Sequence, residues 1–163
     1  MKHLYVPCLH SSPQSLHSHF LQSLHKFSFT LANYKFQIEN VEDYIIKLKN
    51  ININNSNMHG ITNEISQSEG IEINEVFIIF LEFVKNCDYI ISYNITFDMG
   101  MLLNELLRNN NVICNEIINE MKNKKIICPM RELMYICGNI RYGKTRYSKL
   151  SEVYLKIVIE EIS

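Results

Sequence analysis

The clearest periodic pattern in the chain is an apolar face over 73–84. Its members recur every three or four positions, which is the spacing of one side of an amphipathic helix. They are Ile73, Val76, Phe77, Phe80, Leu81 and Val84. The same spacing after Thr96 predicts another helix, with Thr96 as its N-cap. Further helices are predicted over 112–121 and 150–158.

Short β-branched and aromatic runs around these helices predict strands. They lie at 27–38, 44–48, 87–93 and 126–127. The polar stretch 39–43 is predicted to be the turn of a hairpin between the first two. The 87–93 run (CDYIISY) is short and apolar, which is typical of a buried strand. Strands that alternate with helices predict an α/β fold around a mixed sheet.

The composition changes near residue 38 and sets the N-terminus apart. No acidic residue precedes Glu39 and no isoleucine precedes Ile38, whereas the rest of the chain is rich in Ile, Asn, Glu and Lys. Five of the six histidines lie in the first 25 residues. We therefore divide the chain into an atypical N-terminal segment, 1–26, expected to be poorly ordered, and a domain over 27–163.

Three explanations compete for the N-terminal segment. It is rich in serine and free of acids, as in a transit peptide, but it contains no arginine. His17, His19 and His25 could bind a metal, but their spacing does not match the i, i+4 pair of a helical site. A disturbed reading frame or gene start also gives such a composition, and this is the explanation we favour.

The bulk properties restrict the classes of function. The formal net charge is −1, so no global basic field indicates nucleic-acid binding, although an acidic site can offset a basic rim. No apolar run is long enough to cross a bilayer, and we expect no secretory signal. The cysteines form no CxxC pair and are expected to be reduced thiols in the cytoplasm or nucleus. They are Cys8, Cys87, Cys114, Cys128 and Cys137.

Two short basic runs are further candidates for nucleic-acid contacts. The first spans 122–125, and the second surrounds Gly143. Tyr142 and Tyr147 interleave with the second run, as on single-strand binding surfaces. A solvated loop explains both runs as well, and it is the more frequent case.

Asp98 is the candidate site residue with the most direct chemical argument. It lies just inside a predicted helix that follows the predicted 87–93 strand. The strand end fixes its position, and the helix N-terminus favours its negative charge. A carboxylate held there can bind a hard cation such as Mg²⁺. Taken alone, Asp98 is equally consistent with a residue that only offsets the helix dipole.

Asp98 also belongs to a set of motifs in a fixed order. HGIT at 59–62 comes first, NxxFD at 94–98 second, and a KLxxVY helix at 149–154 third. In this order and spacing the set resembles the DEDD family of 3′–5′ exonucleases. The resemblance is to the branch that includes the proofreading epsilon subunit of bacterial DNA polymerase III and its viral relatives, and it spans roughly 28–157.

The resemblance implies a ribonuclease H-like fold, with a mixed sheet flanked by helices. It also implies release of nucleotides from the 3′ end of single-stranded nucleic acid, dependent on Mg²⁺ or Mn²⁺. Asp98 would be a catalytic and metal-binding carboxylate. His59 would lie against the terminal nucleotide, and Asn94 and Phe97 would shape the same pocket. The resemblance implies no membrane partner and identifies no protein partner.

The sequence departs from the family pattern at both ends, so we expect an incomplete fold. The family's first motif, DxE, should follow the first strand, whose best candidate is 3–6, but PCL stands at 7–9. The last motif, HxxxxD, should follow the 149–154 helix by one loop, but the sequence ends at Ser163. Tyr93 also stands where the family often has histidine.

These departures predict impaired hydrolysis. Two-metal catalysis needs several carboxylates converging on ions about 3.5–4 Å apart. One carboxylate, Asp98, cannot hold two hydrated Mg²⁺ ions. We therefore expect an exonuclease-family domain that is a fragment or a pseudoenzyme. Two alternatives stay open: an active metal-dependent 3′–5′ exonuclease whose acids are supplied elsewhere, and a protein-interaction module that retains only the fold.

Overall fold

The computed structural model describes residues 1–6, 23–49, 53, 56–134, 140–141 and 144–162. Within these ranges the chain forms a five-stranded sheet, a two-stranded hairpin and seven helices. The strands are β1 (Lys2–Tyr5), β2 (Lys26–Asn33), β3 (Ile38–Ile45), β4 (Tyr89–Ile91), β5 (Lys125–Ile127), β6 (Ile140–Arg141) and β7 (Lys144–Thr145). The helices are α1 (Ser56–His59), α2 (Asn63–Glu69), α3 (Ile73–Asn86), α4 (Ile95–Asn109), α5 (Val112–Lys122), α6 (Pro129–Glu132) and α7 (Leu150–Ile162).

The large sheet is mixed and has the order β3-β2-β1-β4-β5. β1 lies at its centre, antiparallel to β2 and parallel to β4, and β4 is in turn parallel to β5. The strand expected over 3–6 is thus confirmed as β1, displaced by one residue. The prediction of an α/β fold around a mixed sheet is confirmed.

The hairpin of β2 and β3 is confirmed, but the position predicted for its turn is wrong. The stretch 39–43 lies within β3, and the chain turns earlier, between Asn33 and Gln37. The Asn33 side chain accepts hydrogen bonds from the backbone N–H groups of Lys35 (2.9 Å) and Gln37 (3.1 Å), which fixes this turn. Phe36 takes the left-handed conformation, with φ of 59°. Polar residues fit β3 because it is an edge strand with mostly exposed side chains.

The predicted helices over 73–84, 112–121 and 150–158 are confirmed as α3, α5 and α7. The prediction of Thr96 as an N-cap is wrong, because β4 ends at Ile91 and α4 begins at Ile95. Asn94 is the N-cap residue. Thr96 lies inside the first turn, where its hydroxyl accepts a hydrogen bond from Arg131 Nη2 at 2.8 Å.

Aromatic side chains join α3 to the sheet. Phe27 and Phe29 of β2 are fully buried, and their ring centroids lie 4.9 and 5.1 Å from that of Phe80 on α3. Burying a Phe side chain stabilises a fold by about 1.5–3 kcal/mol. This cluster therefore anchors α3 to β2, which lies beside β1 in the sheet.

The residues just before β2 are bound to α4. Leu24 is fully buried, and its N–H donates to Glu105 Oε2 at 3.3 Å. Arg108 Nη1 donates to the same oxygen (2.9 Å) and to Ser23 Oγ (2.7 Å). Residues 7–22 lie outside the described residues, as do His17 and His19 among them. The division of the chain at residue 26 stays a prediction.

Three cysteines fall within the described part of the chain, and all three are buried free thiols. They are Cys87, Cys114 and Cys128. Cys8 and Cys137 lie outside the described residues. None of the helices that the structure describes has the length and apolar character needed to span a membrane.

Candidate active site

Asp98 is fixed by the junction between β4 and α4. β4 ends at Ile91, and α4 begins four residues later. The backbone N–H of Asp98 donates to the Asn94 carbonyl oxygen at 3.1 Å, so Asp98 lies in the first turn, where the helix dipole favours a negative charge. Its side chain is only 3 % exposed, and Ser92 Oγ donates a hydrogen bond to its Oδ2. The prediction that Asp98 follows a buried strand inside a helix start is confirmed.

Asp98 faces a cavity of about 710 Å³ at the carboxyl ends of β1 and β4, called here the Asp98 cavity. The two strands are parallel neighbours with Tyr5 opposite Ile91, so their ends open into the same space. Tyr5 and Val6 form the wall on the β1 side. Residues 91–94 and Phe97 line it on the β4 and α4 side. Pro129 and Leu150 complete the described lining.

The exit of β1 makes this wall apolar and aromatic. The Val6 N–H donates to the Ile91 carbonyl oxygen at 2.9 Å, which extends the β1–β4 pairing to the edge of the cavity. Burial raises the pKa of the Tyr5 phenol above its ordinary value of 10.0, so the hydroxyl stays protonated at neutral pH. No sequence motif singled out Tyr5. Its position at the end of a short N-terminal strand is the signal that could have identified it.

Asn94 and Phe97 lie beside Asp98, where the sequence motif suggested that they would. Both line the Asp98 cavity and also an adjoining cavity of about 340 Å³ along α4. Thr96, Gly100 and other α4 residues complete the second cavity. The NxxFD motif therefore presents three side chains to one region. Their roles in binding a nucleotide stay a prediction.

His59 lies at the end of α1, in a different contact. Its Nδ1 accepts a hydrogen bond from the Ile61 N–H at 3.2 Å, and its ring centroid lies 4.3 Å from that of His25. His25 is 2 % exposed, so this pair joins the HGIT turn to the residues before β2. His59 is not among the described residues that line the Asp98 cavity. Its contact with a nucleotide stays a prediction.

Ser92 and Tyr93 complete the junction, and sequence reasoning assigned a role to neither. Ser92 is 4 % exposed and is the direct hydrogen-bond donor to Asp98. The Tyr93 hydroxyl donates to the Ser148 carbonyl oxygen at 2.5 Å. This bond ties the end of β4 to the segment before α7, and so brings Leu150 to the cavity wall.

The described side chains do not fit a pair of divalent metal ions. In the ranges that the structure describes, no group of three or more His, Cys, Asp and Glu side chains could hold a metal ion. Glu105 is the next buried acid along α4, but its carboxylate is bound to Arg108 and to the Leu24 N–H. Of the described residues that line the Asp98 cavity, Asp98 alone is acidic.

The sheet order, the flanking helices and the cavity at the ends of β1 and β4 define an α/β protein with a ribonuclease H-like fold. A sequence model of the exonuclease family matches residues 30–159. The chain belongs to this exonuclease family. No curated protein sequence matches the chain.

Solved nucleases share the fold. Product-bound exonuclease I has a TM-score of 0.70 at 13 % identity, with 99 % of this chain and 42 % of that chain covered. Escherichia coli exonuclease I in complex with a dT13 oligonucleotide has a TM-score of 0.67 at 12 % identity, with coverage of 99 % and 40 %. The nuclease domain of 3′hExo, a DEDDh family member bound to rAMP, has a TM-score of 0.56 at 10 % identity, with coverage of 69 % and 61 %. The chain spans less than two thirds of each of these structures.

Proposed function

We propose that this chain is an exonuclease-family domain with impaired hydrolysis that retains weak binding to the 3′ end of single-stranded nucleic acid. One observation carries the proposal. The cavity that holds Asp98 is shared with the exit of β1, and the described residues that form its wall there are Tyr5 and Val6. By resemblance to the DEDD family, acids would be expected at that strand exit.

The chemistry follows from the charge of the site. A pair of Mg²⁺ or Mn²⁺ ions supplies the attacking water and stabilises the leaving oxygen, and it requires several convergent carboxylates. Tyr5 offers no negative charge near neutral pH, since the ordinary pKa of a tyrosine is 10.0 and burial raises it further. Asp98 then holds too little charge for two hydrated ions.

We assign nucleic-acid binding to the aromatic and polar side chains that line the site. Phe97 presents an aromatic ring and Asn94 an amide, and both line the Asp98 cavity. His59 of the HGIT turn and the basic run around Gly143 are further candidate contacts. The dT13 and rAMP complexes of similar structures support a single-stranded, 3′-terminal ligand class for this chain.

The finer family assignment is part of the same proposal. The HGIT and NxxFD motifs support a relationship to proofreading epsilon subunits and their viral relatives. The buried free thiols Cys87, Cys114 and Cys128 suit a reducing compartment. We propose Mg²⁺ or Mn²⁺ as the cofactor only for the alternative in which the protein is active.

The test combines cleavage and binding in one experiment on the full-length chain. An end-labelled single-stranded oligonucleotide is followed by fluorescence anisotropy over a range of salt concentrations, with Mn²⁺, and then analysed for shortening. We expect salt-sensitive binding, because phosphate contacts release counterions, and no shortening beyond that of Asp98→Ala. Shortening that Asp98→Ala abolishes would establish an active exonuclease. Absence of both activities, with a stable protein complex, would establish the interaction module.

A further inference from the structure

We infer that the chain carries a second surface for single-stranded nucleic acid, which binds bases and phosphates anywhere along a strand and requires no 3′ terminus. The surface lies at the starts of β1, β4 and β5, whereas the Asp98 cavity lies at the carboxyl ends of β1 and β4. The inference therefore goes beyond the proposed function. We call this region the lysine–aromatic surface, and its members are Tyr34, Lys35, Phe36, Tyr89, Lys124 and Lys125.

The turn of the β2–β3 hairpin presents aromatic and basic side chains to solvent. Tyr34, Lys35 and Phe36 are all exposed, and Lys35 Nζ lies 5.6 Å from the centroid of the Tyr34 ring. Asn33 pairs with Lys2 at the start of β1, which places the turn at the end of the sheet away from the Asp98 cavity. A ring beside a cation suits the base and the phosphate of a nucleotide.

Phe36 is held in an arrangement that hydrophobic packing does not explain. It is 66 % exposed, and its φ of 59° lies in the left-handed region, which is unfavourable for a bulky residue. Its ring stacks on that of His3, with the centroids 4.9 Å apart and the planes 26° from parallel. Strained residues that the surrounding structure holds in place are a sign of function. The exposed part of the ring can stack on a nucleobase.

A row of contacts continues from Phe36 across one face of the sheet. His3 of β1 pairs with Tyr89 of β4, and Tyr89 pairs with Lys125 of β5, so these three side chains lie on the same face. The His3 and Tyr89 ring centroids are 5.3 Å apart, and Lys125 Nζ lies 5.5 Å from the Tyr89 centroid. His3 is only 7 % exposed. The inner rings therefore support two exposed ends, Phe36 and Lys125.

The lysines of this surface suit phosphate groups. Lys35 and Lys125 are exposed, and Lys125 lines a cavity of about 400 Å³ together with Lys124. Lys124 Nζ donates to the Cys87 carbonyl oxygen at 2.9 Å, which holds this ammonium group at the cavity. Two of the three lysines belong to the basic run 122–125, which the proposed function does not use.

Two carboxylates lie beside the surface, and Lys2 contacts both. Glu39 Oε2 is paired with Lys2 Nζ at 2.9 Å, and Asp88 Oδ2 accepts a hydrogen bond from the Lys2 N–H at 2.7 Å. The three lysines of the surface are therefore not cancelled by these two acids. Exposed rings beside lysines are the combination that single-stranded nucleic acid binds. Protein interfaces are depleted in lysine, so a protein partner suits this surface less well.

The test uses a circular single-stranded oligonucleotide of thymidines, which has no 3′ terminus for the Asp98 cavity. Its binding to the full-length protein is followed by fluorescence anisotropy at increasing salt, in EDTA. We expect Phe36→Asn to weaken binding about fivefold or more, because a stacking contact is lost. Asn adopts the left-handed conformation more readily than Phe, so the turn should be retained. Leu107→Ala, at a site on α4 that is 63 % exposed, is the control and should leave the affinity unchanged.

Lysine substitutions should change the salt dependence. Lys35→Gln combined with Lys125→Gln should make the slope of log affinity against log salt shallower by about 1.4, at about 0.7 for each phosphate contact with a single strand. Phe36→Asn should leave this slope unchanged, since the ring carries no charge. Lys47→Gln combined with Lys49→Gln removes the same charge beyond the other end of β3 and should also leave it unchanged. The lysine variant tests the surface if Phe36→Asn fails to fold.

Three results would overturn the inference: no binding of the circular strand, no effect of Phe36→Asn on its affinity, or no effect of the lysine variant on the salt slope. A dimer that Phe36→Asn dissociates, seen by sedimentation, would assign the surface to a second copy of the chain and also overturn it. Failure of the proposed function is distinguishable. A linear strand bound no more tightly than the circular one refutes the 3′-terminal site, and its shortening with Mn²⁺ refutes impaired hydrolysis.

Discussion

The Asp98 carboxylate accepts a hydrogen bond from the hydroxyl of Ser92, the residue that follows β4. Removing the partner of a buried polar group costs about 1–3 kcal/mol. We expect Ser92→Ala to lower the free energy of unfolding by about that amount, measured by urea denaturation. Ser68→Ala, at an exposed site on α2, is the control and should change stability by less than about 0.5 kcal/mol. Equal effects of the two variants would show that the Ser92–Asp98 contact contributes nothing.

The buried thiol of Cys87 should make the stability of the protein depend on pH. Desolvation by burial raises its pKa from 9.0 to about 11. As the pH rises through this window, the unfolded chain loses the thiol proton while the native chain retains it. Native stability therefore falls with rising pH, and Cys87→Ser should make that fall shallower.

The measurement for Cys87 is a series of urea unfolding curves at increasing pH. Tyr44, whose pKa is raised to about 12, and Cys114, whose pKa is also raised by burial, titrate in the same alkaline range. The comparison of interest is therefore the difference between Cys87→Ser and wild type. If this difference stays constant between pH 9.0 and about 11, burial does not raise the pKa of the Cys87 thiol in the native protein.

Some residues of the candidate site could be predicted from the sequence, and others could not. Asp98, Asn94 and Phe97 could be grouped because one short motif between a strand and a helix contains all three. His59 comes from a distant motif, and only tertiary contacts decide which side chain it faces. The structure places it against His25. Tyr5 and Ser92 were missed because they carry no motif, and their position depends on the pairing of β1 with β4.

The junction between α2 and the end of β3 depends on close backbone contact. Ser66 is 1 % exposed; its hydroxyl donates to the Ile46 carbonyl (2.8 Å) and accepts from the Leu48 N–H (3.0 Å). A methyl group on Gly70 would lie 2.2 Å from the Ser66 carbonyl oxygen and 2.8 Å from the Lys47 backbone nitrogen. Glycine is therefore the residue that this packing permits.

Gly70→Ala should destabilise the protein, because both clashes involve backbone atoms that cannot rotate away. Overpacking of this kind costs about 1–3 kcal/mol. Gly100→Ala is the matched control, since nothing lies within 4 Å of a methyl group there and the residue is inside α4. That change should be neutral or stabilising by up to about 1 kcal/mol, through helix propensity. Thermal unfolding compares the two, and a stable Gly70→Ala variant would refute the packing argument.

Elements with a strong apolar period were predictable, whereas their ends were not. The face from Ile73 to Val84 identified α3, because a buried helix face has a period that no other element shares. The turn of the β2–β3 hairpin was misplaced, because acidic residues in an edge strand resemble a loop. Its actual position is fixed by hydrogen bonds to the Asn33 side chain, which hydrophobic patterning does not reveal.

The whole molecule depends on residues near the N-terminus, since β1 separates β2 from β4 in the sheet. Leu4 of β1 is fully buried in the core. Leu4→Ala should cost about 2–5 kcal/mol if β1 is an integral strand. Ile38→Ala, at an aliphatic position on β3 that is 68 % exposed, should cost less than about 0.5 kcal/mol. Chemical denaturation measures both, and a neutral Leu4→Ala would support a separate N-terminal segment.

The account of the whole protein depends on how many divalent ions the Asp98 cavity can hold. Electron paramagnetic resonance of Mn²⁺ counts them directly, because the six-line signal of the free ion disappears on binding. We predict that the wild-type chain and Asp98→Ala leave the same amount of free Mn²⁺ in a titration. Two Mn²⁺ ions bound per wild-type chain, and lost in Asp98→Ala, would contradict the account.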